Sequence, residues 1–137
     1  MSAKAFFDSN VLIYAAVSGD VRRERAQQLM EQGGVISVQV LNEFVNVALR
    51  KMRMPWDDII DALDAVRILF PLPVSITLDT HAAALKIAQR YGFGIHDAQI
   101  AAAALEANCS TLYSEDLQDG QVIDRRLTIR NPFRLMA

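Results

Sequence analysis

The chain has a single cysteine, Cys109, and only two histidines, His81 and His96, among its 137 residues. One thiol closes no intrachain disulfide, so nothing in the sequence calls for an oxidising compartment. One thiol and two imidazoles are also too few soft donors for a structural zinc site. No apolar run approaches the roughly 20 residues of a membrane-spanning helix. Asp8 interrupts the apolar start Ala5-Phe6-Phe7 before a signal-peptide core develops. The expectation is a cytoplasmic protein with no membrane partner. Glycine and proline are sparse, at 6 and 4 residues, and form no linker, so 1–137 is expected to be one domain. Charge of one sign is lacking too, with 14 Lys+Arg against 16 Asp+Glu. This balance does not advertise nucleic-acid binding. It does not exclude it either, because acids gathered on bound cations would leave the rest of the chain positive.

What is present is apolar content, 52% of residues against 22% charged, which suits a folded domain. Ala3–Phe7, Val35–Val38, Val74–Ile76 and Ser110–Tyr113 read as short strands, and Val122-Ile123 with Leu127–Ile129 as a short last one. Between them lie helical stretches: one begins at Val11, and a polar one is capped by Asp20 and stopped by Gly33-Gly34. Another runs from Gln39 to about Arg53, and the next opens at Pro55 with Asp57 and Asp58 in its first turn. Of the last two, one is capped by Asp79 or Thr80 and the other, rich in alanine, spans Asp97–Ala107. Alternating strands and helices imply an α/β fold, a short, mostly parallel sheet with helices on both faces. Ligands in such sheets sit beyond the carboxyl ends of the strands.

Four acids fall at such places. Asp8 ends the first strand, Glu43 lies one turn into the helix after the second, Asp97 opens a helix, and Asp116 follows the fourth strand. Each has an ordinary explanation, as a helix cap, a first-turn anion or a solvated surface residue. Together they are harder to dismiss. Carboxylates brought close raise one another's pKa, and a hard divalent cation such as Mg²⁺ or Mn²⁺ relieves the conflict. A phosphodiester is the natural substrate of such a site.

The segments Phe7–Tyr14, Leu41–Phe44, His96–Ala103 and Leu112–Asp116 resemble the PIN-domain family, most closely the VapC-type toxins of type II toxin–antitoxin pairs. The resemblance implies a Mg²⁺- or Mn²⁺-dependent endoribonuclease, a homodimer, silenced by a cognate antitoxin. It implies that Asp8, Asp97 and Asp116 bind metal, and that Glu43 completes the catalytic site by positioning the attacking water or holding a metal-bound one. Ser114 and Asn10 become supporting neighbours. A further acid often lies two residues after the Asp116 position, where this chain has Gln118; Asp119 is an outer-shell candidate shifted by one.

Several features have competing explanations. Arg22, Arg23, Arg25, Arg50, Lys51 and Arg53 could hold RNA phosphates, though solvated helix faces are the commoner explanation. Trp56 is either a partner contact or a lid on its own core. An antitoxin segment is expected across the apolar helices between Gln39 and Leu69. Two other functions stay open, a metal-dependent phosphatase using Asp8 as nucleophile and a non-catalytic PIN-fold partner-binding module. Asn10, where such phosphatases carry a second Asp, counts against the first.

Overall fold

Phe6 and Phe7 are consecutive, so on a strand they point to opposite faces, and both are fully buried. Both faces of β1 (Ala5–Phe7) are therefore covered by the core. The structure is a computed structural model that describes residues 4–135; the predicted first residue of this strand, Ala3, lies outside them. Asp8 then caps α1 (Ser9–Ala16), which starts two residues before the predicted Val11 because the Asp8 side chain accepts the Ser9 N–H.

Helix α2 (Arg23–Glu31) is not capped by Asp20. That carboxylate folds back on the Arg22 backbone and guanidinium, closing a turn that delays the helix by two residues. The predicted strand over Val35–Val38 shrinks to single parallel bridges, Phe6 with Val35 and Ser37 with Val74. Ser37 accepts the Val40 N–H and so begins α3 (Val38–Arg50), taking the last strand residue into the helix. The same competition reduces the predicted third strand to Val74, which bonds across to Ile36 and Val38. Gly34 brings the chain against β1, where an added Cβ would lie 2.6 Å from the Ala5 carbonyl and the Phe7 ring.

Pro55 precedes α4 (Trp56–Leu69) as predicted. Thr77 and Thr80 form a reciprocal capping box for α5 (Leu78–Tyr91), one turn earlier than the predicted cap, and Gly92 closes it in the left-handed region at φ 75°. The alanine-rich α6 (Ile95–Glu106) is buried over most of its length and packs closely on α5. Then follow β2 (Thr111–Tyr113), β3 (Val122–Ile123) and β4 (Leu127–Arg130). The two final apolar segments thus form a hairpin of two strands rather than one strand.

The sheet order is β1-β2-β4-β3, parallel except for the terminal β3–β4 pair. The fold is the expected α/β arrangement around a short, mostly parallel sheet. Hydrogen bonding continues past the carboxyl ends of the strands: the Asp8 N–H donates to Tyr113 and the Ser114 N–H to Arg130. This pairing sets Asp8 and Ser114 side by side at one rim. No helix among the described residues is long and apolar enough to cross a membrane.

Candidate active site

Asp8 leaves β1 and caps α1 in one step. Its Oδ1 accepts the Ser9 N–H at 2.7 Å and its Oδ2 accepts the Ser114 hydroxyl at 2.7 Å, with the side chain almost wholly buried. Neither partner carries charge. Burial therefore dominates and pushes the Asp8 carboxyl up to about 6. The bonds from Ser114 and Ser9 pull it down, while the charges of Glu43 and Asp116 push it up further.

Glu43 approaches from α3. Its Oε2 accepts the Ser9 hydroxyl at 3.2 Å, so Ser9 joins Asp8 and Glu43 through backbone and side chain respectively. One turn earlier on α3, Gln39 donates to Glu43 Oε1 at 3.2 Å and lies 3.2 Å from His96 Nδ1. The adjacent Asp97 sits in the first turn of α6. Burial raises its pKa most, the Asp116 charge adds to that, and His96 opposes it.

Asp116 is set from both sides. Its backbone N–H donates to the Ser114 hydroxyl at 3.2 Å, and its Oδ2 accepts from Asn10 Nδ2 at 3.3 Å. The Asn10 amide also reaches Ser114 Oγ at 3.5 Å and accepts the Glu115 N–H at 3.3 Å. Asp8, Asn10, Glu43, Asp97, Ser114 and Asp116 thus belong to one neighbourhood built from four separated stretches of chain. Asp119 does not join it. Its carboxylate accepts the Asn131 N–H at 2.9 Å and an Arg134 N–H at 2.8 Å, tying down the C-terminal segment.

Two residues in this network were not singled out from sequence. The signal for Ser9 was its place beside a capping Asp; that for Gln39 was its spacing of four from Glu43 on one helix.

Among the described residues, no Lys or Arg pairs with any of the four acids. Also among them, no group of three His, Cys, Asp or Glu side chains is drawn up tightly enough to hold a metal ion. The donor chemistry fits a hard cation: an uncompensated buried carboxylate with further carboxylate oxygens near it and no soft ligand in contact. Ligation requires the outer acids to turn inward.

Known structures share the fold. A toxin–antitoxin complex from Klebsiella pneumoniae superposes with a TM-score of 0.70 at 24% identity, covering 94% of this chain and 98% of that one. VapC20 of Mycobacterium tuberculosis, described as a sarcin–ricin loop cleaving toxin, gives 0.67 at 21% identity over 82% of this chain and 90% of its own. VapBC2 of Rickettsia felis, bound to a promoter DNA fragment, gives 0.67 at 18% identity over 93% and 97%. No curated protein matches the sequence. The PIN domain matches residues 5–119, which include all four acids and most of the folded chain. The chain belongs to the PIN-domain family.

Proposed function

We propose that the protein is a divalent-metal-dependent endoribonuclease acting as the toxin of a toxin–antitoxin pair. The observation that carries this reading is Asp8, a buried carboxylate held near the charges of Glu43 and Asp116 with no cationic side chain to compensate it. Such an arrangement costs stability unless it serves to gather positive charge. Asp8, Asp97 and Asp116 are the residues that would hold Mg²⁺ or Mn²⁺. Bound there, the cation supplies charge stabilisation to a scissile phosphodiester and acidifies a water. Glu43, held by Ser9 and Gln39, orients the attacking water. Ser114 orients Asp8, and Asn10 orients Asp116.

The structural neighbours that are toxin–antitoxin complexes support a cognate antitoxin as partner. A groove of about 690 Å³ lies between α1, α2 and α4, lined by apolar Leu12, Met30 and Val66, by the acids Glu31, Asp58 and Asp61 and by one cation, Arg23. We assign the antitoxin to it, as an apolar segment carrying basic residues. Its α4 wall and Met54 belong to the hairpin between Gln39 and Leu69 where the antitoxin segment is expected. Homodimer formation is the remaining expectation.

The spread of the acids is equally what a non-catalytic PIN-fold binding module would have. Titrating Mn²⁺ or Mg²⁺ against wild type and Asp8→Asn with a structured RNA substrate separates the two. The nuclease cuts RNA only with metal and loses at least about a hundredfold in rate on substitution. Intact RNA at saturating metal defeats the nuclease reading.

A further inference from the structure

We propose that Tyr14 and Arg22 are positioning residues that clamp Glu115 and thereby hold Asp116 in the acidic site; this rests on the nuclease reading above. Glu115 precedes Asp116, yet its carboxylate is drawn to the α1–α2 side. The Tyr14 hydroxyl donates to its Oε1 at 2.7 Å, and Arg22 Nη1 stands 3.4 Å from its Oε2. The Arg22 guanidinium lies 3.7 Å above the Tyr14 ring and is fixed by Asp20 through two bonds of 2.9 Å. The Tyr14 ring meets Phe133 edge-on at 5.1 Å. A lone surface ion pair contributes little. This one is different because its cation is fixed by Asp20 and the Tyr14 ring by Phe133.

The clamp reaches Asp116 through α1. Asn10 and Tyr14 are four residues apart, on one helical face. Tyr14 holds the Glu115 side chain and Asn10 holds the Glu115 backbone N–H, so the residue is gripped at both ends. The Asn10 amide that accepts this N–H with its oxygen donates to Asp116 with its nitrogen. Releasing Glu115 frees the Asn10 amide to rotate, and Asp116 loses its side-chain donor. The loss falls on a residue that must turn inward to bind a cation, where orienting contacts matter for affinity.

The test uses Tyr14→Phe, which keeps the ring packed on Phe133, and Arg22→Met, which keeps the stack without the charge. Amide hydrogen exchange at Glu115 and Asp116 is measured without metal, and Mn²⁺ binding is measured by calorimetry without RNA. Each variant is expected to speed exchange at both amides by roughly fivefold and to weaken Mn²⁺ by a similar factor. Arg22→Lys should recover part of both. Unchanged exchange overturns the clamp, and so does faster exchange with unaltered Mn²⁺ affinity. A wild-type protein that takes up no Mn²⁺ defeats the nuclease reading instead, and the exchange rates alone then decide the clamp.

Discussion

Replacing Asp8 by Asn should stabilise the metal-free protein at neutral pH, although Asp8 is the residue on which the proposed chemistry depends most. Burial raises its carboxyl from an ordinary 3.8 to about 6. The folded chain therefore holds this proton more tightly than the unfolded chain. Stability falls as pH rises from about 4 to about 6, and the deficit is complete above that window. A shift of this size corresponds to about 3 kcal/mol at pH 7.5. Asn removes the charge and keeps the cap on the Ser9 N–H. It also removes the acceptor of the Ser114 hydroxyl proton, which costs about 1 kcal/mol. The net gain is about 2 kcal/mol, or roughly 6–8 °C in Tm. Urea unfolding in EDTA at pH 7.5 and pH 4.5 measures both terms. The variant should be more stable than wild type at pH 7.5 and no more stable at pH 4.5, where wild-type Asp8 is already protonated. Excess Mn²⁺ should stabilise wild type alone. A variant equally destabilised at both pH values would refute the claim that Asp8 carries an uncompensated buried charge.

Ser114→Ala removes the strongest hydrogen bond holding the Asp8 carboxyl down, so the acid limb of the pH–rate profile for metal-dependent cleavage should move to higher pH. An unmoved limb would mean that Asp8 ionisation does not limit the reaction. Gly34→Ala forces a methyl against the Ala5 carbonyl and the Phe7 ring at 2.6 Å, and should cost about 3 kcal/mol in denaturant unfolding. Asp119→Asn should leave cleavage within about twofold of wild type while speeding exchange at the Asn131 amide, because its carboxylate serves the C-terminal segment.

Periodicity and punctuation made most of the fold legible. Gly33-Gly34 and Pro55 each mark a real boundary, and the helices they bound are present. What stayed hidden were choices between two local hydrogen-bonding options of similar strength. Ser37 can extend a strand or cap a helix, and here it does both, pairing with Val74 through one bridge while its hydroxyl starts α3. Asp20 can cap a helix or bind Arg22, and the guanidinium wins because its charge strengthens the bond. In the site, Asp8, Glu43, Asp97 and Asp116 were legible from their positions relative to strand ends. The connectors Ser9 and Gln39 and the Tyr14–Arg22–Glu115 cluster were not, since they depend on side chains meeting across as many as 101 residues of sequence. Asp119 shows the converse: proximity in sequence placed it near the acids, and two hydrogen bonds from the C-terminal segment took it elsewhere.

Asp8 also shows why a structural explanation of a residue does not compete with a functional one. Its helix-capping role is real, for Oδ1 accepts the first free N–H of α1. Each carboxylate oxygen has two acceptor directions, however, and the cap and the Ser114 hydroxyl occupy one on each. The remaining directions would let the carboxylate meet a cation without breaking either bond. The cap then acts as preparation: it fixes the carboxylate at the rim, beside Glu43 and Asp116, at an energetic cost that a bound cation would offset. A cap that served only α1 would do as well with Asn or Ser, neither of which carries the buried charge. The buried charge at Asp8 is what the proposed cation site would use.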